Sequence, residues 1–389
     1  MNKSDLDRNA YMPGGSYARR GYLRWWHSFV GTQEETGESR TFFVEYFIIN
    51  PGLGSDQPIL GQHPYFKKRG LKPSYVMIKA GVFPGKASSD TEKLPGRELH
   101  AFYPISSLKA TGKPLVMQIE DCFYSENHIS GFVDVTKQEA RHRSLMTDAG
   151  SMEWDLEVHK AVSCHTGILS SAFFTALHAL NSFWHGEGIR TFYRGHVILD
   201  GSLYRVEPES SCGYADKHWG RNYNHPWFQL SSCRLTSERT GRELKHSALA
   251  IDGCCPRFLC FTLKRRLMIQ LTYMGEDFEF LFAKPGSFCR SKWKMKETNK
   301  RYLWHINAQN KDAVIRISGC CRKDGMMPLR YETPEGAKPS PTLWGGGDGY
   351  GTIQIYRRVS GKKQLIDTLS FENALFEYQS WHKERNGAK

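Results

Sequence analysis

No stretch of the 389-residue chain is apolar for long enough to cross a bilayer. The two most apolar stretches are 42–49, broken by Glu45, and 167–184, broken by His178, Asn181 and several serines. Residues 1–20 are polar and lack the apolar centre of a secretory signal, so a cytoplasmic protein is expected. Peripheral contact with a membrane surface stays open, as a way to meet a lipid-soluble substrate. The ten cysteines include no CxxC pair; Cys254 with Cys255 and Cys320 with Cys321 are only neighbours. Reduced thiols are therefore expected, with neither a disulfide framework nor a metal site. A GxSxG elbow for a serine nucleophile is also missing. The glycine run 345–351 is followed by no Lys-Ser/Thr, and 352–356 alternates as a strand. That context rejects a phosphate-binding loop and favours a hairpin or barrel-corner bend. No cofactor is expected.

Helical periodicity is scarce too: only about 169–183 repeats apolar residues near i, i+3 and i+4, as a short central helix would. What the chain has in quantity is aromatic, with 10 Trp, 18 Tyr and 22 Phe, and 36 Gly and 17 Pro to make turns. Such a composition favours strands joined by tight connections. Period-two alternation closed by turn residues marks 40–49, 75–82, 115–119, 129–135, 152–159 and 191–199 in the first half. The second half offers 227–235, 247–251, 257–263, 267–273, 278–282, 301–308, 313–320 and 352–358. These are too many strands for one small sandwich. A weak internal repeat suggests how they divide: an aromatic strand, a charged Thr-Gly hairpin and a returning strand occur at 25–49 and again at 227–251. The fold class expected is all-β, as two consecutive antiparallel barrels covering 1–185 and 186–389.

The formal net charge of +13 raises the question of nucleic acid. Its basic residues come in small groups, and Lys292, Lys294 and Lys296 alternate with Trp293 and Met295, as on a strand with one wet and one buried face. No nucleic-acid motif accompanies them, so no nucleic-acid partner is expected.

Chemistry-bearing residues are densest in Tyr214-Ala215-Asp216-Lys217-His218-Trp219-Gly220. In an extended segment Tyr214, Asp216 and His218 share one face. Phenol, carboxyl and imidazole are costly to bury together unless they bond to one another. Either they form an acid–base cluster in a pocket wall, or they are the solvated face of a strand end. A second pair, His185 and Glu187, again shares a face two residues apart; imidazoles in such settings are more often structural hydrogen-bonders than catalysts.

The sequence through Trp184-His185-Gly186, 213–220 and Pro226-Trp227-Phe228 resembles the tocopherol cyclase family, which carries a Tyr-x-Glu-Lys-x-Trp-Gly core. The segment 21–26 is similar to that family's N-terminal aromatic motif, and the late glycine run with 370–377 to its C-terminal end. More distantly, the Tyr214/Asp216 pair resembles the Tyr-x-Asp pair of carotenoid 1,2-hydratases. The resemblance implies two lipocalin-like barrels, and protonation of a carbon–carbon double bond in an apolar phenolic or isoprenoid substrate. The cation would then be captured by an internal phenol oxygen or by water. It also implies roles: Asp216 as proton donor, with a raised pKa, and Tyr214, His218, His185 and Glu187 around it as tuning or relaying groups. Trp26, Trp219 and Trp227 would supply aromatic faces to the cation, with Lys217 as a partner for a buried carboxylate. Asp216 stands where the family has Glu, His218 where it has Asn or Asp, and Arg24 where a small or acidic residue is usual. The alternative is a lipocalin-like carrier that holds a hydrophobic ligand without chemistry.

Overall fold

The early aromatic segment forms the strand Tyr22–Gln33, hairpinned to Ser39–Ile49. Leu23, Trp25 and Phe29 enter one hydrophobic core, whereas Tyr22 and Trp26 enter another. A strand buried on both faces must lie between two packed layers, which is why large apolar side chains occur on both of its faces. The computed structural model describes residues 3–11, 16–54, 64–86, 93–164, 181–211, 213–223, 227–255, 257–258, 261–262, 266–281, 289–336 and 342–379. The expected helix at 169–183 lies outside the described residues, apart from its last three. Of these, Ser182 and Phe183 open the strand Ser182–Leu199.

All strands among the described residues pair antiparallel, in two large barrel-like sheets and two short two-stranded ones, Gly85–Lys86 with Lys93–Leu94 and Arg257–Phe258 with Phe261–Thr262. The first has twelve strands drawn from 22–220. Its central path runs Arg97–Tyr103, Tyr75–Val82, Ser39–Ile49, Tyr22–Gln33, Ser202–Val206, Ser182–Leu199 and Gly150–Cys164. The strand Gly213–Gly220 bridges Tyr22–Gln33 and Ser182–Leu199. The second sheet has eleven strands from 228–379, with Ala248–Cys254, Phe228–Ser232, Lys362–Gln379 and Leu343–Val359 side by side. Strand pairing therefore changes sheets between Gly220 and Phe228, later than the expected boundary at 185/186. The segment after 185 continues one long strand that keeps its pairing to Gly150–Cys164, so no break falls there.

Each sheet encloses its own core, one around Trp25, Tyr46 and Trp154, the other around Trp304, Phe228 and Phe376. A third core joins them face to face through Trp26, Phe43, Trp184, Trp227, Tyr331 and Leu343. Burying each such side chain stabilises by roughly 1.5–3 kcal/mol, so this layer binds the sheets together.

The repeat holds at its hairpins. Gln33 N–H donates to Glu38 O and Gly37 N–H to Gln33 O; Ser237 N–H donates to Arg242 O and Gly241 N–H to Ser237 O. Gly37 and Gly241 sit at φ 71° and 65°, where a Cβ would be strained. Lys292, Lys294 and Lys296 are exposed, while Trp293 is buried between them. The glycine run lies within the strand Leu343–Val359 rather than in a hairpin, and register shifts follow Gly346 and Gly349. At Gly349 a Cβ would come within 2.1 Å of the Phe376 ring, so the bulged strand needs glycine to let that ring in. Among the described cysteines, seven are free thiols, but Cys233 is disulfide-bonded, which departs from the all-reduced expectation. No helix among the described residues is long and apolar enough to cross a membrane.

Candidate active site

Cross-strand register lines up the polar residues of the inter-sheet layer. In the first sheet Asp216, Trp26, Glu45 and Lys79 are successive partners on four adjoining strands. In the second, Asp252, Gln229 and Glu377 are successive partners on three. Gln229 Nε2 donates to Asp216 Oδ2 at 3.0 Å, and Arg24 Nη2 lies 3.2 Å from Glu377 Oε1, so the two rows meet. Asp216, Glu45, Asp252 and Glu377 are 1%, 0%, 4% and 0% exposed. Four buried carboxyls in one layer are costly unless paired or protonated.

Asp216 is the best satisfied. Tyr214 Oη donates to its Oδ2 at 2.8 Å and Trp184 Nε1 at 3.1 Å, and His218 Nε2 lies 3.1 Å away. With Gln229, four groups converge on this one oxygen. Its Oδ1 is buried with no hydrogen-bond partner among the described residues. Tyr214, Asp216 and His218 thus share a buried face and bond to one another, which rules out the solvated strand end.

The charge state differs from the expected one. Burial alone would raise the Asp216 pKa, but His218, the Arg24 guanidinium and the Tyr214 hydroxyl hold it down to about 2. Asp216 is therefore a carboxylate at neutral pH and not the protonated acid. The expectation weighed burial without the donors the fold gathers around the group. Burial lowers the His218 pKa against the pull of Asp216. Burial, reinforced by the charges of Asp216 and Glu377, holds Asp252 protonated well above the carboxylate range, and burial also raises Glu377.

Arg24 links the two rows. Its Nε is 3.1 Å from Glu45 Oε1, and its guanidinium lies 4.6 Å from the Trp26 ring centroid and 5.9 Å from that of Trp227. Glu45 also accepts from Tyr331 Oη at 2.8 Å. Beside this network lies a narrow cavity of about 30 Å³, walled in part by Tyr22, Arg24, His218, Tyr223, Trp227 and Tyr331. That is room for about two waters. The His218 and Trp227 rings lie 4.3 Å apart, and Tyr22 and Tyr223 lie 4.6 Å apart.

Of the residues singled out from sequence, the structure brings Tyr214, Asp216, His218, Trp26 and Trp227 together. It places His185, Glu187, Lys217 and Trp219 elsewhere, on the first-barrel side of their strands. Trp219 stacks on Phe183 at 5.4 Å within the first core. Lys217 Nζ donates to Arg8 O and Ala10 O at the end of the helix Lys3–Asn9. His185 Nε2 is 3.7 Å from Asp5, and Glu187 pairs with Lys160 at 2.6 Å and accepts from Tyr124 at 3.1 Å. Period two explains the split: Lys217 and Trp219 alternate with Asp216 and His218. Opposite them, Trp184 pairs with His218 and His185 with Lys217. Burial raises Glu187 to about 7 and lowers Lys217 to about 7.

Sequence reasoning passed over Trp184, Gln229, Asp252 and Glu377 as site residues. A signal was present: Asp252 is the single acid of the apolar strand Ala248–Cys254, and Glu377 follows Leu375 and Phe376 and precedes Tyr378, much as Glu45 sits in 42–49.

Among solved structures, a candidate AttH protein of Nitrosomonas europaea is similar at 10% identity and TM-score 0.45, over 94% of this chain and 95% of its own. Kievitone hydratase from Nectria haematococca is similar at 10% identity and TM-score 0.44, over 98% and 93%. No curated protein sequence matches. A family model described as tocopherol cyclase-like matches residues 190–377, which span the Tyr214–Gly220 block and nearly all of the second sheet. Over 190–377, just under half of its length, the chain is thus similar to the tocopherol cyclase-like family.

Proposed function

We propose that the protein is a cyclase or hydratase of the tocopherol cyclase-like kind: it protonates a carbon–carbon double bond of an apolar phenolic or isoprenoid substrate, and an internal phenol or water then captures the cation. The observation that carries this reading is Asp216, a fully buried carboxylate with one oxygen held by four groups and the other bare, paired across strands with Trp26 and contacting His218, which lies 4.3 Å from the Trp227 ring in the wall of a cavity. A cation forming there meets a fixed negative charge and aromatic faces in a layer of buried side chains, where both act strongly. The carboxylate also suits the second half of the reaction. An attacking O–H must lose its proton as the new C–O bond forms, and Asp216 accepts it directly or through His218. The resident cavity is too small for a prenylated phenol, so substrate entry displaces aromatic walls such as Tyr22 and Tyr223.

Incubation in deuterated water with prenylated quinols, polyenes and chalcone-like phenols tests this reading. The expected result is one deuterium on a newly saturated carbon, with turnover lost by about 10²-fold or more in Asp216→Asn. Ligand binding without a labelled product across the panel, equal in wild type and Asp216→Asn, would identify a carrier instead.

A further inference from the structure

Protonating an alkene requires a group that still holds a proton in a layer where Asp216 does not. Among the carboxyls of the two rows, Glu45 accepts from Tyr331 and lies near Arg24 and Lys79, and Glu377 faces Arg24. Asp252 is different. Its carboxyl makes no hydrogen bond and no ion pair among the described residues, and it is buried like every residue of the strand Ala248–Cys254. Gln229, its cross-strand partner, donates to Asp216 at 3.0 Å. Directly paired residues have Cβ atoms about 4.5–5.5 Å apart. Asp252 is thus one side chain away from Asp216, on the opposite sheet.

Resting on the function proposed above, we infer that Asp252 is the general acid: its carboxyl O–H delivers the proton to the double bond, while Asp216, across the layer, acts as the base. Its O–H bond breaks as the alkene π pair forms the new C–H bond, leaving a carboxylate at Asp252 and a cation on the adjacent carbon. The phenol or water oxygen then donates its lone pair to that carbon and loses its proton to Asp216, which passes it on to the Asp252 carboxylate. Asp252 is thereby regenerated, and no oxidant, reductant or further reactant is consumed. Two carboxyls with opposite charge states give an acid and a base to one site. Burial and the neighbouring charges of Asp216 and Glu377 keep the Asp252 proton in place at neutral pH.

The test has two arms. The first needs no substrate: the infrared carbonyl stretch of a protonated carboxyl, recorded on the whole protein at neutral pH, should be present in wild type and diminished in Asp252→Asn, but still present in Asp216→Asn, where burial continues to hold the Asp252 proton. Wild type and Asp252→Asn spectra that agree in this band overturn the inference, whatever the substrate. In the second arm, with any panel compound that wild type converts, Asp252→Asn should lower turnover by about 10²-fold or more, and Asp252→Glu should recover part of it. Circular dichroism and denaturant unfolding should show both variants folded. Turnover in Asp252→Asn within threefold of wild type refutes the acid role and leaves the proposed reaction standing. A wild type that converts no compound overturns the reaction instead, while the infrared arm still decides where the proton resides.

Discussion

Replacing Arg24 by methionine should cost the protein a large part of its stability, and the size of the loss can be worked out from two contacts. Arg24 Nη2 is 3.2 Å from Glu377 Oε1, and the other Glu377 oxygen has no hydrogen bond among the described residues. Glu45, the second carboxylate on Arg24, keeps Tyr331 Oη at 2.8 Å and Lys79 at 3.6 Å. The substitution therefore leaves one buried charge, that of Glu377, uncompensated, which costs about 3–5 kcal/mol. The sign of the pH dependence follows. Burial already raises the Glu377 pKa above its ordinary 4.5, and loss of Arg24 raises it further. A group with a raised folded pKa contributes fully below its unfolded pKa and loses that contribution as pH climbs through the folded value. The deficit of Arg24→Met should thus be small near pH 4.5, the ordinary glutamate value, and full at neutral pH. Urea unfolding of wild type and variant at both pH values measures it, and adding Glu377→Gln to the variant should recover a good share at neutral pH. A neutral-pH deficit below about 1 kcal/mol, or one independent of pH, would refute the view that Arg24 neutralises the inter-sheet carboxylates.

Three other substitutions probe separate parts of the structure. Tyr214→Phe removes one of the four groups on Asp216 Oδ2, a bond to a charged group worth about 1.5–3 kcal/mol. Because the Asp216 pKa falls from 3.8 to about 2 on folding, its contribution is present above 3.8 and lost as pH falls through 2. Acid unfolding of Tyr214→Phe, followed by tryptophan fluorescence, should therefore begin at higher pH than in wild type; coincident curves would count against the bond. Lys217→Met withdraws two donors from the carbonyls of Arg8 and Ala10, so hydrogen exchange at residues 3–11 should quicken while the 213–220 strand stays protected. Unchanged exchange would show that the helix Lys3–Asn9 is held by other contacts. Gly349→Ala drives a Cβ to 2.1 Å from Phe376, and calorimetry should show a loss of about 1–3 kcal/mol. A variant as stable as wild type would mean that the Phe376 ring moves aside freely.

The β architecture was legible because alternation and turn residues act locally. The expected strand at 75–82 coincides with Tyr75–Val82, and 40–49, 129–135 and 301–308 differ by a residue or two at an end. The boundary between sheets was not legible, because it depends on which strands pair over long distances: Gly213–Gly220 inserts between two first-sheet strands remote in sequence. The face shared by Tyr214, Asp216 and His218 followed from period two alone. The same rule sends Lys217 and Trp219 to the other face, so taking the whole block as one site mixed two environments. Gln229, Asp252 and Glu377 stayed hidden because a second sheet brings them to Asp216, and no local spacing encodes that approach. The charge on Asp216 was misjudged for a related reason: Gln229, Trp184 and Arg24, which help hold it, lie on other strands.

The central claim is that chemistry takes place between the two sheets, with Asp216 facing the reacting carbon. A crystal structure with a compound that the protein converts, or with its saturated analogue, tests it most directly. The account predicts the ligand against Trp26 and Trp227, with Arg24 and His218 in its wall and its unsaturated carbon beside the bare Oδ1 of Asp216. A ligand inside the first barrel against Trp25 and Trp219, or on an outer surface remote from Asp216, would contradict it.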